Sequence, residues 1–265
     1  MRDADAHTIS AEGITSWQLM ERAATKLFEW IKEHLPKEQT VTVLAGTGNN
    51  GGDGLALARM LIADGWQVNT YLLCFSEHLS SDCQQNKELL EAQGIAIAEI
   101  RAEQVNNITY GKIVIDAVFG IGLYRPAPKW IQQIFENLNN SNSYILSVDM
   151  PSGLPTERIP SPEEVWVHPH QVLTFQTPKL PFFLPSTGCY IRKWEVLNIG
   201  LDEHFLKTLH PDFYYLESDI QQLQRRRAKF SHKGTYGHAL LVGGSYGKMG
   251  AVVLSGTAVL RNGAG

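Results

Sequence analysis

A three-layer α/β/α fold around a mainly parallel sheet is the architecture this sequence predicts, and three observations predict it. Short apolar runs alternate with helical patterns along most of the chain, and strands alternating with helices imply right-handed crossovers between parallel neighbours. Two of the runs, at 112–116 and 144–149, are almost continuously apolar, as central strands covered on both faces are. A third, at 41–45, empties into a glycine-rich stretch and then an apolar helical pattern, the order of strand, phosphate-sized loop and helix N-terminus.

Taken in order, Thr15 and Gln18 have the spacing of a capping box, and Met20, Ala23, Ala24, Leu27, Phe28 and Ile31 recur behind them at helical spacing. The strand at about 40–45 follows, then the loop Gly46–Gly54 with its amides Asn49 and Asn50, then a helix from Leu55 that ends near Gly65, a residue suited to a left-handed cap. A second strand is expected over 67–75, a solvent-facing helix over 80–93 and a short strand over 95–100. The strand at 112–116 ends on Asp116, a helix covers 130–138, and the strand at 144–149 ends on Asp149. Residues 155–170, rich in proline and charge, read as a surface excursion. A strand over 172–176 then leads to Thr177, Pro178 and Lys179. Four loops therefore fall at strand carboxyl ends, where parallel sheets bind their ligands.

Beyond that point the chain turns polar between about 217 and 236, with three arginines at 225–227. His238–Gly244 again reads as a strand entering a glycine loop, and Gly250–Leu260 as an apolar helix, after which too little chain follows for that unit to close a core. The expected organisation is a domain over 1–217, a linker over 218–236 and the incomplete start of a second α/β unit over 237–265.

Composition narrows the chemistry. With 43% hydrophobic residues in 265, the chain can bury a full core. Its formal net charge of -4 gives no general attraction to nucleic acid or an anionic membrane. No apolar run reaches the ~18 residues of a membrane span, and residues 1–10 lack the apolar core of a signal peptide. The 3 cysteines form no zinc-ligand spacing and fit a reducing compartment, so a cytoplasmic protein is expected.

Gly46, Gly48 and Gly51 have the spacing of a dinucleotide fingerprint, yet the acid that would bind a ribose about 20 residues later is missing. A Walker loop is excluded because no Gly-Lys-Ser/Thr follows. The lesser alternative is that the glycines simply permit a tight strand-to-helix turn with Asp53 as N-cap. Asp116 and Asp149 could be simple turn residues. With the Asn50 amide and the Ser152 hydroxyl, the two acids would instead offer hard oxygen ligands to an alkali, calcium or magnesium ion. Ser152 lacks the frame of a nucleophile elbow. Lys179 is either a surface lysine or, partly buried at a strand end, an acid/base group. His168 and His170 read as solvated residues, and the triple arginine as an exposed linker face.

Together, Thr47–Gly54, Asp116–Gly122, Val148–Gly153 and Thr177–Lys179, in this order and spacing, resemble the NAD(P)H-hydrate epimerase family, also called the YjeF N-terminal domain; Gly13–Ala24 resembles that family's first helix. His232–Gly244 with Gly250 and Ala251 resembles the start of the ADP-dependent NAD(P)H-hydrate dehydratase domain, a ribokinase-like fold that often follows the epimerase. The resemblance implies a Rossmann-like domain that interconverts the R and S forms of NADHX and NADPHX at C6 of the hydrated nicotinamide ring. It implies that Asn49, Asn50, Gly51, Gly52, Asp53, Gly120, Ile121, Gly122, Leu123, Tyr124, Arg125, Pro126 and Asp149 contact the nucleotide, that Asn50, Asp116 and Ser152 share a potassium ion, and that the protein is a homodimer or higher homo-oligomer. Asp149 is expected to accept and return a proton with Lys179 as helper. Family members usually begin several residues earlier than this chain. The later dehydratase loop that carries the general base and the ADP or ATP contacts is missing, so no dehydratase activity is expected of these residues alone. Read from the residues without the resemblance, a nicotinamide-dependent oxidoreductase and a nucleotide-binding scaffold without turnover stay open.

Overall fold

In the computed structural model, residues 1–215 and 228–263 are described. The chain divides into two units, Met1–His210 and Pro211–Gly265. Of the linker expected over 218–236, residues 218–227 lie outside the described residues, and so does the triple arginine.

The first unit is built on a seven-stranded sheet in which every neighbouring pair is parallel. The strands are β1 (Val41–Ala45), β2 (Val68–Leu73), β3 (Ile97–Ile100), β4 (Ile113–Ala117), β5 (Tyr144–Val148), β6 (Gln171–Phe175) and β7 (Trp194–Leu197). Their spatial order is β3-β2-β1-β4-β5-β6-β7. The order runs outward in both directions from the β1/β4 pair, so a crevice opens beyond the carboxyl ends of these two strands, the place where open α/β sheets bind ligands.

The helices are α1 (Arg2–Glu12), α2 (Ser16–His34), α3 (Asn49–Ala63), α4 (Ser81–Ala92), α5 (Lys129–Asn139), α6 (Pro185–Gly188) and α7 (Glu203–Thr208). Alternation along the strands assigns the two faces. Val43, Ile115 and Leu146 pack with Leu27 and Ile31 of α2 and Leu57 and Leu61 of α3, whereas Leu44, Val114 and Ile145 pack with Ile131, Ile134 and Phe135 of α5. Helices thus cover both faces, and the central strands are buried throughout, which is why they read as continuous apolar runs rather than as alternating ones. The expected capping box starts α2: the Gln18 amide donates to Thr15 Oγ1 at 3.2 Å and the Thr15 amide to Gln18 Oε1 at 2.8 Å.

Several expectations change. Helix α1 precedes the helix read as the first; its buried residues are only Ala4 and Thr8, too few to print an apolar period. Helix α3 begins at Asn49, six residues before the Leu55 start read from the apolar pattern, so that Gly51, Gly52 and Gly54 lie inside the helix and the loop shrinks to 46–48. Helix α4 is not simply solvent-facing, because Cys83, Asn86 and Leu90 are buried. Strand β7, a short edge strand, and the one-turn helices were not legible.

In the second unit, a helix α8 spans Gly250–Arg261 as expected, but residues 238–242 form no strand. Leu240 and Val242 are about nine-tenths exposed; a strand exists only by pairing with another, and none is offered among the described residues of this unit. No helix of the described residues is long and apolar enough to cross a membrane.

Candidate active site

The end of β1 and the start of α3 are brought to the end of β4 by close contact between backbones. A Cβ on Gly46 would stand 2.0 Å from Val118 O, and one on Gly51 would stand 1.8 Å from Gly46 O. Neither glycine has a positive φ, so the absence of a side chain, and not conformational freedom, is what these positions require. The tight-turn reading with Asp53 as N-cap is corrected here. Gly48 is the N-cap and Asp53 lies in the second turn of α3.

A cavity of about 950 Å³ opens in this crevice, near the upper end for small-molecule sites. Its walls include Asn49, Asn50 and Asp53 of α3, the whole stretch from Gly120 to Pro126, and Asp149. Gly51 and Gly52 are buried beneath it, Gly52 against Met20 of α2. Two residues that sequence reasoning missed, Arg2 and Asp5 of α1, also line it together with Ile9. Their spacing of three and then four residues puts them on one helix face, the only signal that could have revealed them.

Below the cavity, Asp116 is fully buried at the end of β4. Its Oδ2 accepts from Ser147 Oγ at 2.7 Å and from the Ser152 amide at 2.9 Å, while Oδ1 has no partner. Burial pushes its carboxyl above the usual value, and the serine hydrogen bonds oppose that only in part. Ser152 Oγ accepts from the Phe119 amide at 2.8 Å and so ties the β5 loop to the β4 loop. The Asn50 amide stands against Gly120, whose Cβ would lie 3.3 Å from Asn50 Oδ1, and Asn50 Nδ2 is buried without a partner. An orphaned carboxylate oxygen at the end of β4, an unpaired amide in the first turn of α3 and a serine hydroxyl in the loop after β5 are hard donors with a single formal charge. They fit a monovalent cation, for which a half-turn of the Asn50 amide presents oxygen in place of nitrogen. Among the described residues no three His, Cys, Asp or Glu side chains gather as a metal centre.

Asp149 leaves β5 with φ 61°, in the left-handed region that aspartate tolerates better than most residues. Its Oδ1 lies 2.9 Å from Lys179 Nζ and accepts from Thr174 Oγ1 and the Phe175 amide, both at 3.2 Å. Lys179 Nζ also donates to Thr174 Oγ1 (2.8 Å), Thr177 O (2.9 Å) and Phe175 O (3.0 Å). The surface-lysine alternative is therefore corrected, since Lys179 is 8% exposed. It lies behind Asp149 and lines an adjoining groove, not the cavity itself. Asp149 Oδ2 has no protein partner among the described residues and is the oxygen left for a ligand.

Acids crowd this end of the cavity. Loss of water, then Asp149, Asp5 and Asp82, hold the Asp53 carboxyl well above its usual value. Burial raises Asp5, the amino terminus opposes it, and Asp149 and Lys179 act in opposite directions with smaller effect. Cys83, under the loop with its thiol on Gly46 O at 3.6 Å, is pushed up to about 12 by burial and is no nucleophile. His168 stacks on Tyr190 with ring centroids 4.5 Å apart, away from the cavity, and burial lowers its basicity. His170 does not stand free in solvent: its Nδ1 accepts from the Ile145 amide at 3.1 Å.

Residues 16–180 match the sequence profile of the family described as YjeF-related protein N-terminus. The chain belongs to that family. Among curated proteins, a bifunctional NAD(P)H-hydrate repair enzyme of Coxiella burnetii is 32% identical over 96% of this chain and 51% of its own length. An NAD(P)H-hydrate epimerase of Limosilactobacillus fermentum is 36% identical over 59% of this chain and 74% of its own length. The chain spans about half the length of the bifunctional relatives it matches. The crystal structure of yeast ynu0 superposes with a TM-score of 0.63 at 24% identity, covering 82% of this chain and 94% of that one, and so shares the fold. The match ends at Leu180, so it takes in every residue of the Asp116–Ser152 and Asp149–Lys179 clusters and begins after α1.

Proposed function

We propose that the first unit is an NAD(P)H-hydrate epimerase acting in the cytoplasm, and that the observation carrying this reading is Asp149 on the wall of a cavity of about 950 Å³ with the buried Lys179 ammonium behind it. The substrate carries a hydroxyl on C6 beside ring nitrogen N1. When the N1 lone pair forms the C6=N1 bond, the C6–O bond breaks and hydroxide departs. Water adds to either face of the planar iminium while Asp149 accepts its proton, and Asp149 returns that proton to the departed hydroxide, so that one water is taken up and one released; no electron is gained or lost. The role of Lys179 is to hold Asp149 Oδ1 so that Oδ2 meets the substrate. The names of the relatives and the family match support this substrate class. Dehydration with ADP belongs to the relatives' remaining length and is not assigned to these residues.

Potassium is the cation this reading assigns to Asn50, Asp116 and Ser152; when bound it supplies a fixed positive charge beneath the loop. Asp116 then orients Ser147 and Ser152, and Ser152 holds the β4 loop at Phe119. The test is chromatography of pure R-NADHX with and without the protein, in potassium and then in sodium. Rapid appearance of the S form, faster in potassium, is expected. Binding without interconversion would leave a scaffold, and an absorbance change with a reducible substrate would mark an oxidoreductase.

The cation also yields a stability prediction. Potassium at about 100 times its dissociation constant is expected to stabilise the protein by about 2.7 kcal/mol, and Asp116→Asn is expected to abolish that increment. Thermal melts in potassium and sodium chloride at equal ionic strength measure both; equal shifts in the two salts would remove the cation from this site.

A further inference from the structure

The charges around the cavity are divided. Asp5, Asp53 and Asp149 act on one another's charge, with the amino terminus also acting on Asp5, whereas among the described residues the lysine and arginine side chains lining the cavity are Arg2 and Arg125. Arg2 sits in the first turn of α1 with its guanidinium over the ring of Tyr124, 5.4 Å from the centroid. Its Nη2 reaches the bare backbone of the β4 loop, 3.2 Å from where a Cβ on Gly122 would stand. No carboxylate pairs with Arg2 among the described residues, so its planar fork of donors is held by the aromatic face and left open to an anion.

A dinucleotide brings charges of both signs to such a cavity. Its phosphates are repelled by the carboxylates and drawn to an unpaired guanidinium, which binds phosphate through two parallel hydrogen bonds. Its hydrated ring becomes a cation when hydroxide departs, and the carboxylate end is where that cation is stabilised. The division of charge therefore sets the direction in which the ligand lies. We propose that Arg2 is a phosphate-positioning residue, holding a phosphate of the dinucleotide at the Tyr124–Gly122 rim so that the nicotinamide ring reaches Asp149. This rests on the epimerase reading for the ring, while the phosphate contact stands by itself.

Two measurements test it on the full chain. In the first, ADP-ribose and its 2′-phosphate, which lack the reacting ring, are titrated into wild type, Arg2→Ala and Arg2→Lys by calorimetry. Arg2→Ala is expected to weaken binding roughly tenfold, the worth of a lost charge-assisted hydrogen bond, and Arg2→Lys is expected to recover part of it. In the second, Arg2→Ala is expected to raise KM roughly tenfold with kcat within about twofold, the pattern of lost uniform binding. An equal rise for NADHX and NADPHX assigns Arg2 to the diphosphate, and a rise confined to NADPHX assigns it to the 2′-phosphate. Unchanged binding of both probes, no binding of either by wild type, or a fall in kcat without a rise in KM overturns the proposal. Arg2-dependent binding by a protein that does not epimerise R-NADHX would overturn the reaction assignment and leave the phosphate contact standing.

Discussion

Asp149→Asn is expected to lower kcat for interconversion of R- and S-NADHX by about 10²–10⁴-fold, the usual worth of a positioned acid/base group. Asparagine is the informative replacement. The residue sits at φ 61°, where asparagine is tolerated and alanine would add strain of about 1 kcal/mol, so Asp149→Ala would mix a backbone effect with a chemical one. Asparagine also keeps an oxygen for Thr174 Oγ1 and the Phe175 amide. What it removes is the negative charge facing Lys179, which is 8% exposed. Breaking a buried pair in that way costs about 3–5 kcal/mol when nothing else holds the remaining charge, but here Nζ keeps three oxygen acceptors, so the loss is expected at or below the low end. A melt alongside the kinetics separates the two effects. A folded Asp149→Asn protein with the wild-type rate would remove Asp149 from the chemistry.

Much of this site is written in the sequence because it lies at strand ends, and strands that are buried on both faces announce themselves. Asp116 and Asp149 follow immediately from runs in which nearly every residue is apolar, and parallel pairing then brings those ends to one edge. The convergence of Asn50, Ser152 and the 120–126 loop follows from the same topology. Helix α1 escaped for the opposite reason. It covers the cavity with only two buried residues and reveals itself through Arg2, Asp5 and Ile9, a face that reads as ordinary surface until a cavity is known to lie beneath it. The start of α3 escaped because glycine in a helix interior costs about 1 kcal/mol against alanine, so three glycines among residues 51–54 argue for a loop. Tertiary contact overrules that preference, since Gly51 meets the backbone of Gly46, just past the end of β1, and no side chain fits there. The absent strand at 238–242 shows the limit of apolar runs as a signal, for they report a preference to be buried, and a ladder needs a second chain segment as well.

Gly51→Ala is expected to destabilise the protein by about 3 kcal/mol, the upper part of the range for overpacking, and to abolish epimerisation. Two effects oppose each other at this position. Alanine gains about 1 kcal/mol of helix preference, but its methyl would fall 1.8 Å from Gly46 O. That oxygen is backbone at the end of a central strand, with the Gly46 amide bonded to Ala117 O at 3.1 Å and a Cβ-sized gap to Val118 already closed. It cannot move without separating β1 from β4, so α3 must move instead, carrying Asn50 away from Gly120 and Asp53 away from Asp149. The clash outweighs the preference, and the displacement falls on the site. For a unit of this size the loss corresponds to a melting point lower by roughly 6–12 °C. Gly48→Ala is the control, because nothing lies within 4 Å of its Cβ position and its φ is -96°. Only the weaker N-cap preference of alanine is lost there, about 0.5–1 kcal/mol. Parallel melts of the two variants give the comparison. If Gly51→Ala melts no lower than Gly48→Ala, then α3 is free to shift over β1, and the close backbone contact is not what fixes the position of the Asn50 amide.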